Sequence, residues 1–173
     1  MDAAVTRKNG ALEENGSESG YRIDIERIQK LLAHRYPMLL VDRMLDVVPN
    51  QSATGIKNVT MNEPYFQGHF PGHPVVPGVM IVESMAQTSA ALVLETLGEH
   101  AEGKVVYFMF IDNAKFRRPV TPGDQMRIRV AKVRQRGNVW KFTAVVEVDG
   151  HIAAEASYAA MIINPADLPP QRF

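Results

Sequence analysis

The sequence predicts an α+β fold in which a curved antiparallel sheet wraps around one long helix. Residues 79–97 are apolar on nearly every side, which is typical of a helix buried in a core and not of a surface helix. β-rich segments joined by turn residues precede and follow this helix. A single buried helix between groups of strands must be covered by their sheet, and this predicts the α+β class.

The N-terminal part predicts a leader and one short helix. Residues 1 to about 20 are rich in Asn, Gly, Ser and Glu, so we expect a disordered leader before a single domain over 21–173. Asp24 is a suitable N-cap for an amphipathic helix whose apolar residues recur at helical spacing up to Leu32. The pair Tyr36-Pro37 ends helical structure.

A β-hairpin is expected next, before the buried helix. Met38–Val48 forms the first predicted strand, 49–52 a turn, and Ala53–Val59 the second strand. Residues 62–66 predict a single helical turn. Gly98 is a natural stop for the buried helix.

A meander of about four strands is expected after the helix. Turn signals separate the segments, and the strongest is Asp149-Gly150. The tail after Asn164 contains three prolines and should be irregular. The predicted strands are 104–116, 124–136, 139–148 and 151–163.

The composition excludes several classes of function. The 173-residue chain has a formal net charge of zero, so nothing favours a nucleic acid or an anionic membrane as partner. It contains no Cys, which excludes disulfides, thiolate nucleophiles and thiolate metal sites. We see no signal peptide and no apolar run of the ~18 residues that a membrane span needs, and we expect a cytoplasmic protein.

The loop 68–74 and the helix after it carry the candidate chemistry. Three prolines and three glycines between Gly68 and Gly78 predict a loop with one fixed backbone shape, which presents His69. Glu83 is the one carboxylate near the start of the apolar helix, where burial should raise its pKa and make it a proton donor. His69 would then suit a base, although a lone turn histidine is more often structural. Gln87, one helical turn on, could orient Glu83 or satisfy its amide elsewhere.

The start of this helix predicts an oxyanion site. The backbone N–H groups at Gly78 and Val79 are free of helical partners, and Gly78 permits close approach. A base, an acid and an oxyanion site together fit proton abstraction next to a carbonyl with loss of a β-hydroxyl. A zinc site at His69 and His73 is disfavoured by the intervening prolines, and Ser84 lacks a nucleophile-elbow motif.

Five stretches of the sequence, between about residues 22 and 163, resemble the (3R)-hydroxyacyl-[acyl-carrier-protein] dehydratases of type II fatty acid synthesis. They are Leu-Ala-His-Arg-Tyr-Pro-Met-Leu-Leu-Val-Asp-Arg (32–43), Gly-His-Phe-Pro-Gly-His-Pro-Val-Val-Pro-Gly-Val (68–79), Glu-Ser-Met-Ala-Gln (83–87), Phe-Met-Phe-Ile-Asp-Asn-Ala-Lys-Phe-Arg (108–117) and Val-Thr-Pro-Gly-Asp (120–124).

The resemblance implies a hot-dog fold and an enzyme that works without a metal or redox cofactor. It implies homodimers whose sheets join edge to edge, commonly assembled as hexamers from three dimers. The substrate would be a 3-hydroxyacyl thioester on acyl carrier protein, dehydrated reversibly to the trans-2-enoyl thioester.

The resemblance also implies roles for individual residues. His69 would take the C2 proton, and Glu83 of the partner chain would protonate the departing hydroxyl. The N–H of Gly78, with Val79 adjacent, would polarise the carbonyl, and Gln87 would support the acid. By analogy, Tyr107, Phe108 and Phe110 are candidates for the wall or gate of the acyl tunnel. The basic cluster Lys115, Arg117 and Arg118 is either merely solvated or a contact for the acidic carrier protein.

Three other readings remain. The related dehydratase/isomerases have Asp at the positions of Glu83 and His73, so both residues favour the plain dehydratase. A hot-dog thioesterase would place its acid differently and lack the His69 loop. An acyl-binding module on the same fold is the non-enzymatic alternative.

Overall fold

The computed structural model describes residues 20–101 and 104–164, and its strands form one antiparallel sheet. The strand order is β1-β2-β3-β5-β6-β7-β4, so β4 lies at one edge. The strands are β1 Tyr21–Ile23, β2 Arg43–Val48, β3 Ser52–Asn58, β4 Val105–Phe116, β5 Gln125–Arg136, β6 Val139–Val148 and β7 His151–Ile163. The helices are α1 Ile25–Leu31 and α2 Gly78–Leu97, with 3₁₀ turns at Pro64–Gln67 and Gly98–Ala101.

Helix α2 is the centre of the core, as the sequence predicts. From Ile81 to Leu94 it is buried except at Glu83 and Ala86, because the sheet packs around it. The helix ends at Gly98, whose φ of 57° suits glycine and whose N–H bonds the carbonyls of Leu94 and Glu95. The arrangement is the hot-dog fold that the motifs imply.

Polar side chains inside the core are satisfied by one another. The buried Tyr158 of β7 donates to the Met85 carbonyl at 2.9 Å, and its hydroxyl lies 2.6 Å from Ser89 Oγ. Thr88 Oγ1 donates to the Ser84 carbonyl at 2.8 Å. These bonds fix the rotation of α2 against the sheet, because an unpaired hydroxyl would be costly there.

Strand β3 passes α2 at very close range. An ideal Cβ on Gly55 would lie 2.3 Å from Thr88 Oγ1. The close approach therefore requires a residue without a side chain, as is typical of glycines inside strands.

Strand β4 is apolar, twelve residues long and exposed. It pairs with β7 on one side only, and its side chains from Tyr107 to Phe116 are all exposed. Monomeric proteins rarely leave such an edge open, since its free N–H and C=O groups pair readily with another strand. A second element is therefore expected to cover β4.

The structure corrects three details of the sequence prediction. The strand predicted from Met38 begins at Arg43, because the Leu40 N–H is bound by the Gln87 side chain and not by a neighbouring strand. The predicted four-strand meander is wrong for β4, which crosses to the far edge beyond β7, while β5 pairs with β3. Strand β1 was not predicted, because three residues carry too little periodicity.

Two predictions lie outside the described residues. These are the disordered leader, apart from Gly20, and the irregular tail from residue 165. Within the described part of the chain, no helix has the length and apolarity to cross a membrane.

Candidate active site

The loop before α2 holds His69 in one orientation and one tautomer. His69 Nδ1 lies 2.7 Å from the Val75 carbonyl oxygen, and the Val75 N–H bonds back to the His69 carbonyl at 3.1 Å. A carbonyl can only accept a hydrogen bond, so Nδ1 carries the proton. In the neutral ring Nε2 then bears the lone pair, which is the form that a general base needs.

The loop is fixed to the rest of the fold at both ends. The His69 N–H bonds the Tyr65 carbonyl in the preceding 3₁₀ turn at 2.9 Å. The Val76 N–H bonds the Val120 carbonyl at 2.8 Å. The histidine is therefore presented by a braced loop, as its prolines and glycines predict.

Glu83 lies on the second turn of α2 and is held through a single oxygen. Gln87 Nε2 donates to Glu83 Oε1 at 2.9 Å, so the predicted contact between these two residues is present. His34 Nε2 lies 3.4 Å from the same Oε1. In the described part of the chain, Oε2 accepts no hydrogen bond.

The predicted direction of the Glu83 pKa shift is wrong for this structure. Burial raises the pKa of Glu83. The His34 and Gln87 side chains that face the carboxylate lower that pKa by more than burial raises it, so the net pKa lies below the ordinary value of 4.5. The sequence argument considered the burial and missed His34, which lies 49 residues earlier in the chain.

Gln87 has a second structural task. Its Nε2 also donates to the Met38 carbonyl at 2.6 Å, and its Oε1 accepts from the Leu40 N–H at 2.9 Å. Gln87 is buried and uses both ends of its amide, so it joins the segment before β2 to the carboxylate on α2. Both interpretations from the sequence, orienting Glu83 and satisfying the amide elsewhere, describe this residue.

The start of α2 offers free N–H donors. Pro77 is the N-cap residue and has no side-chain donor or acceptor, and within the described residues the N–H groups of Gly78 and Val79 form no hydrogen bond. An ideal Cβ on Gly78 would lie 2.9 Å from Cζ of Phe116, the last residue of β4. Phe116 therefore packs directly over the first residue of the helix.

A groove of about 780 Å³ brings these elements together. His69 and Glu83 both line it, as do Gly78 and Val79, and its walls are mostly apolar. No hydrogen bond joins His69 to Glu83 within the described part of this chain. The remaining wall residues on α2 and β4 are Ile81, Val82, Phe108, Ile111, Ala114 and Phe116.

The three aromatic residues predicted for the acyl tunnel lie in different places. Phe108 lines the groove and packs edge-on against Tyr158, with ring centroids 5.6 Å apart. Tyr107 lines a separate cavity of about 290 Å³ that also contacts His34. Phe110 lines neither of these two and lies 5.7 Å from Lys141 Nζ. A register shift between Phe108 and Phe110 interrupts the alternation of β4.

The basic residues at the end of β4 and just after it differ in their ion pairs. Lys115 and Arg117 both contact Glu155, at 3.6 and 2.6 Å. Arg118 is half-buried, donates to the Val148 carbonyl at 3.4 Å, and lines the groove with Arg117. Arg117 and Arg118 therefore lie at the groove, whereas Lys115 does not line it.

Comparison with known proteins identifies the family. Residues 32–157 match the family described as FabA-like domain. The chain belongs to this family. This FabA-like chain is 62% identical over 154 residues to the 3-hydroxyacyl-[acyl-carrier-protein] dehydratase FabZ of Paramagnetospirillum magneticum, covering 89% of the chain and 96% of the relative. It is 64% identical over 145 residues to the protein of the same name from Acidiphilium cryptum, covering 84% of the chain and 88% of the relative.

A solved structure supports the fold of the FabA-like chain. A chain of the dehydratase heterocomplex ApeI:P from Xenorhabdus doucetiae superposes with a TM-score of 0.71 at 17% identity. The match covers 81% of this chain and 93% of that one. The resemblance stated from the motifs and the hot-dog fold are both confirmed.

Proposed function

We propose that this chain is a 3-hydroxyacyl-[acyl-carrier-protein] dehydratase of fatty acid biosynthesis. It removes water reversibly from the 3-hydroxyacyl thioester to give the trans-2-enoyl thioester. The observation that carries this is the identity of 62% to a FabZ dehydratase over nearly the full length of both proteins. The groove that contains a histidine, a carboxylate and free helix N–H groups agrees with the reaction.

We assign the steps of the reaction to residues that line the groove. His69 Nε2 takes the C2 proton, and the electron pair of that bond forms the C2–C3 double bond. The C3–O bond breaks, and Glu83 of the partner chain gives its proton to the departing hydroxyl, so that water leaves. The N–H of Gly78, with Val79 beside it, stabilises the negative charge that develops on the thioester oxygen.

In the unliganded enzyme, the lowered pKa of Glu83 favours the reverse reaction, which is hydration of the double bond. Hydration begins with a carboxylate that takes a proton from water, and the free chain supplies that form. Dehydration needs the protonated acid. Binding of an apolar acyl chain removes water from the groove. This raises the pKa of Glu83 and so favours its protonated form.

The apolar wall of the groove receives the acyl chain. Phe108 is our candidate for the wall of this tunnel, because it faces the same groove as His69 and Glu83. Tyr107 is proposed for the wall of the second cavity, behind His34. Phe110 is the third candidate for the tunnel wall or its gate, although it lines neither of these two spaces.

The acidic carrier protein would dock beside the groove at Lys115, Arg117 and Arg118. Arg118 is the sharpest test, because it lines the groove and has no carboxylate contact among the described residues. Arg118→Glu should raise KM for the carrier-bound substrate and leave KM for an N-acetylcysteamine thioester nearly unchanged. An equal rise for both substrates would show that Arg118 serves the groove and not the carrier.

A homodimer is proposed to form through the open edge of β4, with three dimers forming a hexamer. The exposed apolar side chains of β4 would be covered by the same strand of the partner. Met109→Lys should dissociate the assembly in analytical ultracentrifugation, because a charge would be buried at the joint. Val133→Lys is the matched control, since Val133 is similarly exposed at 56% against 50% for Met109 but lies on β5. Equal sedimentation of Met109→Lys and wild type would exclude this edge.

The decisive experiment uses the purified full chain and crotonyl thioester. Loss of the enoyl absorbance on addition of enzyme shows hydration of the double bond. Release of free thiol instead would indicate a thioesterase, and binding without turnover would indicate an acyl-binding module. Movement of the double bond would indicate a dehydratase/isomerase. We also propose a cytoplasmic location, which cell fractionation tests.

A further inference from the structure

The segment between α1 and β2 brings a second histidine to the proposed active site. His34 Nε2 lies 3.4 Å from Glu83 Oε1. This distance is longer than an ordinary N–H···O bond, so the pair is in close contact without a formed hydrogen bond. His34 is not adjacent in sequence to either proposed catalytic residue.

The other ring nitrogen of His34 indicates which form the imidazole takes. His34 Nδ1 is buried and has no hydrogen-bond partner among the described residues. A protonated Nδ1 in this place would be a buried donor without an acceptor, which is costly. The neutral ring with its proton on Nε2 avoids this cost, and Nε2 is the ring nitrogen that lies 3.4 Å from Glu83 Oε1.

The backbone around His34 is fixed, so the contact does not depend on a mobile loop. Arg35 donates to the carbonyls of Gln29, Leu32 and His34, at 3.0, 2.8 and 2.6 Å. Gln87 holds the following residues from the opposite side. The imidazole is therefore held between two anchored points of the chain.

His34 and Gln87 act on the same oxygen of Glu83. Both lie against Oε1, and Oε2 is left without a partner in the described part of the chain. A carboxylate hydrogen-bonded at one oxygen can turn only about that contact, and the His34 ring that lies 3.4 Å from the same oxygen restricts it further. The free oxygen is the one that can meet the hydroxyl of a substrate.

We propose that His34 is a positioning residue that, together with Gln87, fixes Oε1 of Glu83 so that Oε2 faces the hydroxyl of the substrate. The proposal rests on the dehydratase function proposed above. His34 itself touches no reacting atom. Its loss should therefore alter the behaviour of Glu83 and leave His69 unchanged.

The charged groups around this pair define the expected pH effect. His69, Arg117 and Arg118 line the groove on the side of Glu83, and Lys104 and Tyr107 line the cavity beside His34. None of these is altered by a substitution at His34. Removal of His34 takes away a contact that lowers the pKa of Glu83 and leaves the burial that raises it, so that pKa should rise.

The test compares His34→Leu with His34→Gln in the full-length enzyme. Leu removes the donor, whereas the amide of Gln can place an N–H close to the position of Nε2. His34→Leu should lower kcat for hydration of crotonyl thioester by about tenfold to a hundredfold with little change in KM. His34→Gln should recover most of that loss. His151→Leu is the control, because His151 is exposed at the start of β7.

The pH profile separates positioning from a merely structural role. In hydration the acidic limb of the kcat profile reports the deprotonation of Glu83. His34→Leu should move the acidic limb to higher pH and leave the alkaline limb in place. A ¹³C titration of the Glu83 carboxyl, assigned with Glu83→Gln, should show the same upward shift without any substrate.

Each outcome decides the proposal. Wild-type kcat and an unmoved Glu83 titration in His34→Leu would overturn it. If His34→Leu and His34→Gln lose kcat and melting temperature to the same extent, and both limbs of the pH profile stay in place, the role of His34 is structural. That result would also overturn the proposal. If the wild-type protein fails to hydrate the thioester, the proposed dehydratase function fails, and the ¹³C titration still decides whether His34 controls Glu83.

Discussion

Mixing two inactive variants should restore activity if the active site is built from two chains. His69→Ala removes the proposed base and Glu83→Ala the proposed acid, and each homodimer should be nearly inactive. The structure makes the question sharp, because both side chains line one groove of a single chain without touching each other. The same groove is walled by Phe108 and Phe116 of β4, the strand that we propose joins two copies.

The size of the recovery follows from the symmetry of a dimer. Random exchange between equal amounts of the two variants puts about half of the molecules into mixed dimers. If His69 works with the partner's Glu83, each mixed dimer has one site with both residues intact and one site with neither. One site in two, in half of the dimers, gives about a quarter of the wild-type activity. A site within one chain would give no recovery, since every chain lacks one residue.

The assay follows loss of the enoyl absorbance of crotonyl thioester after the variants are mixed and incubated. Subunit exchange is checked by mass spectrometry on differently tagged chains, so that a lack of activity can be interpreted. Each variant mixed with itself is the background control. Full exchange without recovery would refute the shared site and assign His69 and Glu83 of one chain to each other.

Three further predictions test the packing and the electrostatics of the site. Gly78→Ala should lower activity, because the new Cβ would lie 2.9 Å from the Phe116 ring. Phe116→Leu in the same chain should restore part of that activity, and a lack of restoration would exclude crowding as the cause. Gly55→Ala should lower the free energy of unfolding in urea by about 1–3 kcal/mol through its clash with Thr88, and Thr88→Ala should offset part of this loss. Since the folded-state pKa of Glu83 is lowered, its ionisation stabilises the fold above its ordinary pKa of 4.5 and this contribution is lost as pH falls below that value. The stability difference between wild type and Glu83→Gln should therefore shrink in acid, and a difference independent of pH would contradict the shift.

The sequence predicted those parts of the fold that depend on neighbouring residues. The limits of α2 follow from Pro77 and Gly98 on either side of a segment that is apolar on nearly every side, and the turns of the β5–β6–β7 hairpins follow from their glycines. These signals are local, so one sequence is enough to read them. The place of β4 is not local. Its residues show that it is a strand, but nothing in them selects β7 over β5 as its neighbour.

The same division explains the error in the chemistry of the site. Glu83 on an apolar helix predicts burial, and burial alone predicts a raised pKa. The side chains that reverse the shift are Gln87 and His34. The contact with Gln87 can be predicted from the sequence, because Gln87 lies one helical turn after Glu83, whereas the contact with His34 cannot. Only the fold brings His34 to 3.4 Å from the carboxylate. The segment that follows His34 was predicted to form a strand from Met38, but the strand begins at Arg43.

The irregular backbone before β2 therefore has a function that a strand could not serve. A continuation of β2, which is paired on both sides, would bond its N–H and C=O groups to β1 and β3 and leave none for α2. Here the Met38 carbonyl and the Leu40 N–H are bound by Gln87, which in turn bonds Glu83. Because Gln87 is shared between this segment and the carboxylate, a change at residues 38–40 should also disturb Glu83. The precision of the proposed acid thus depends on a stretch of chain that carries no catalytic residue of its own.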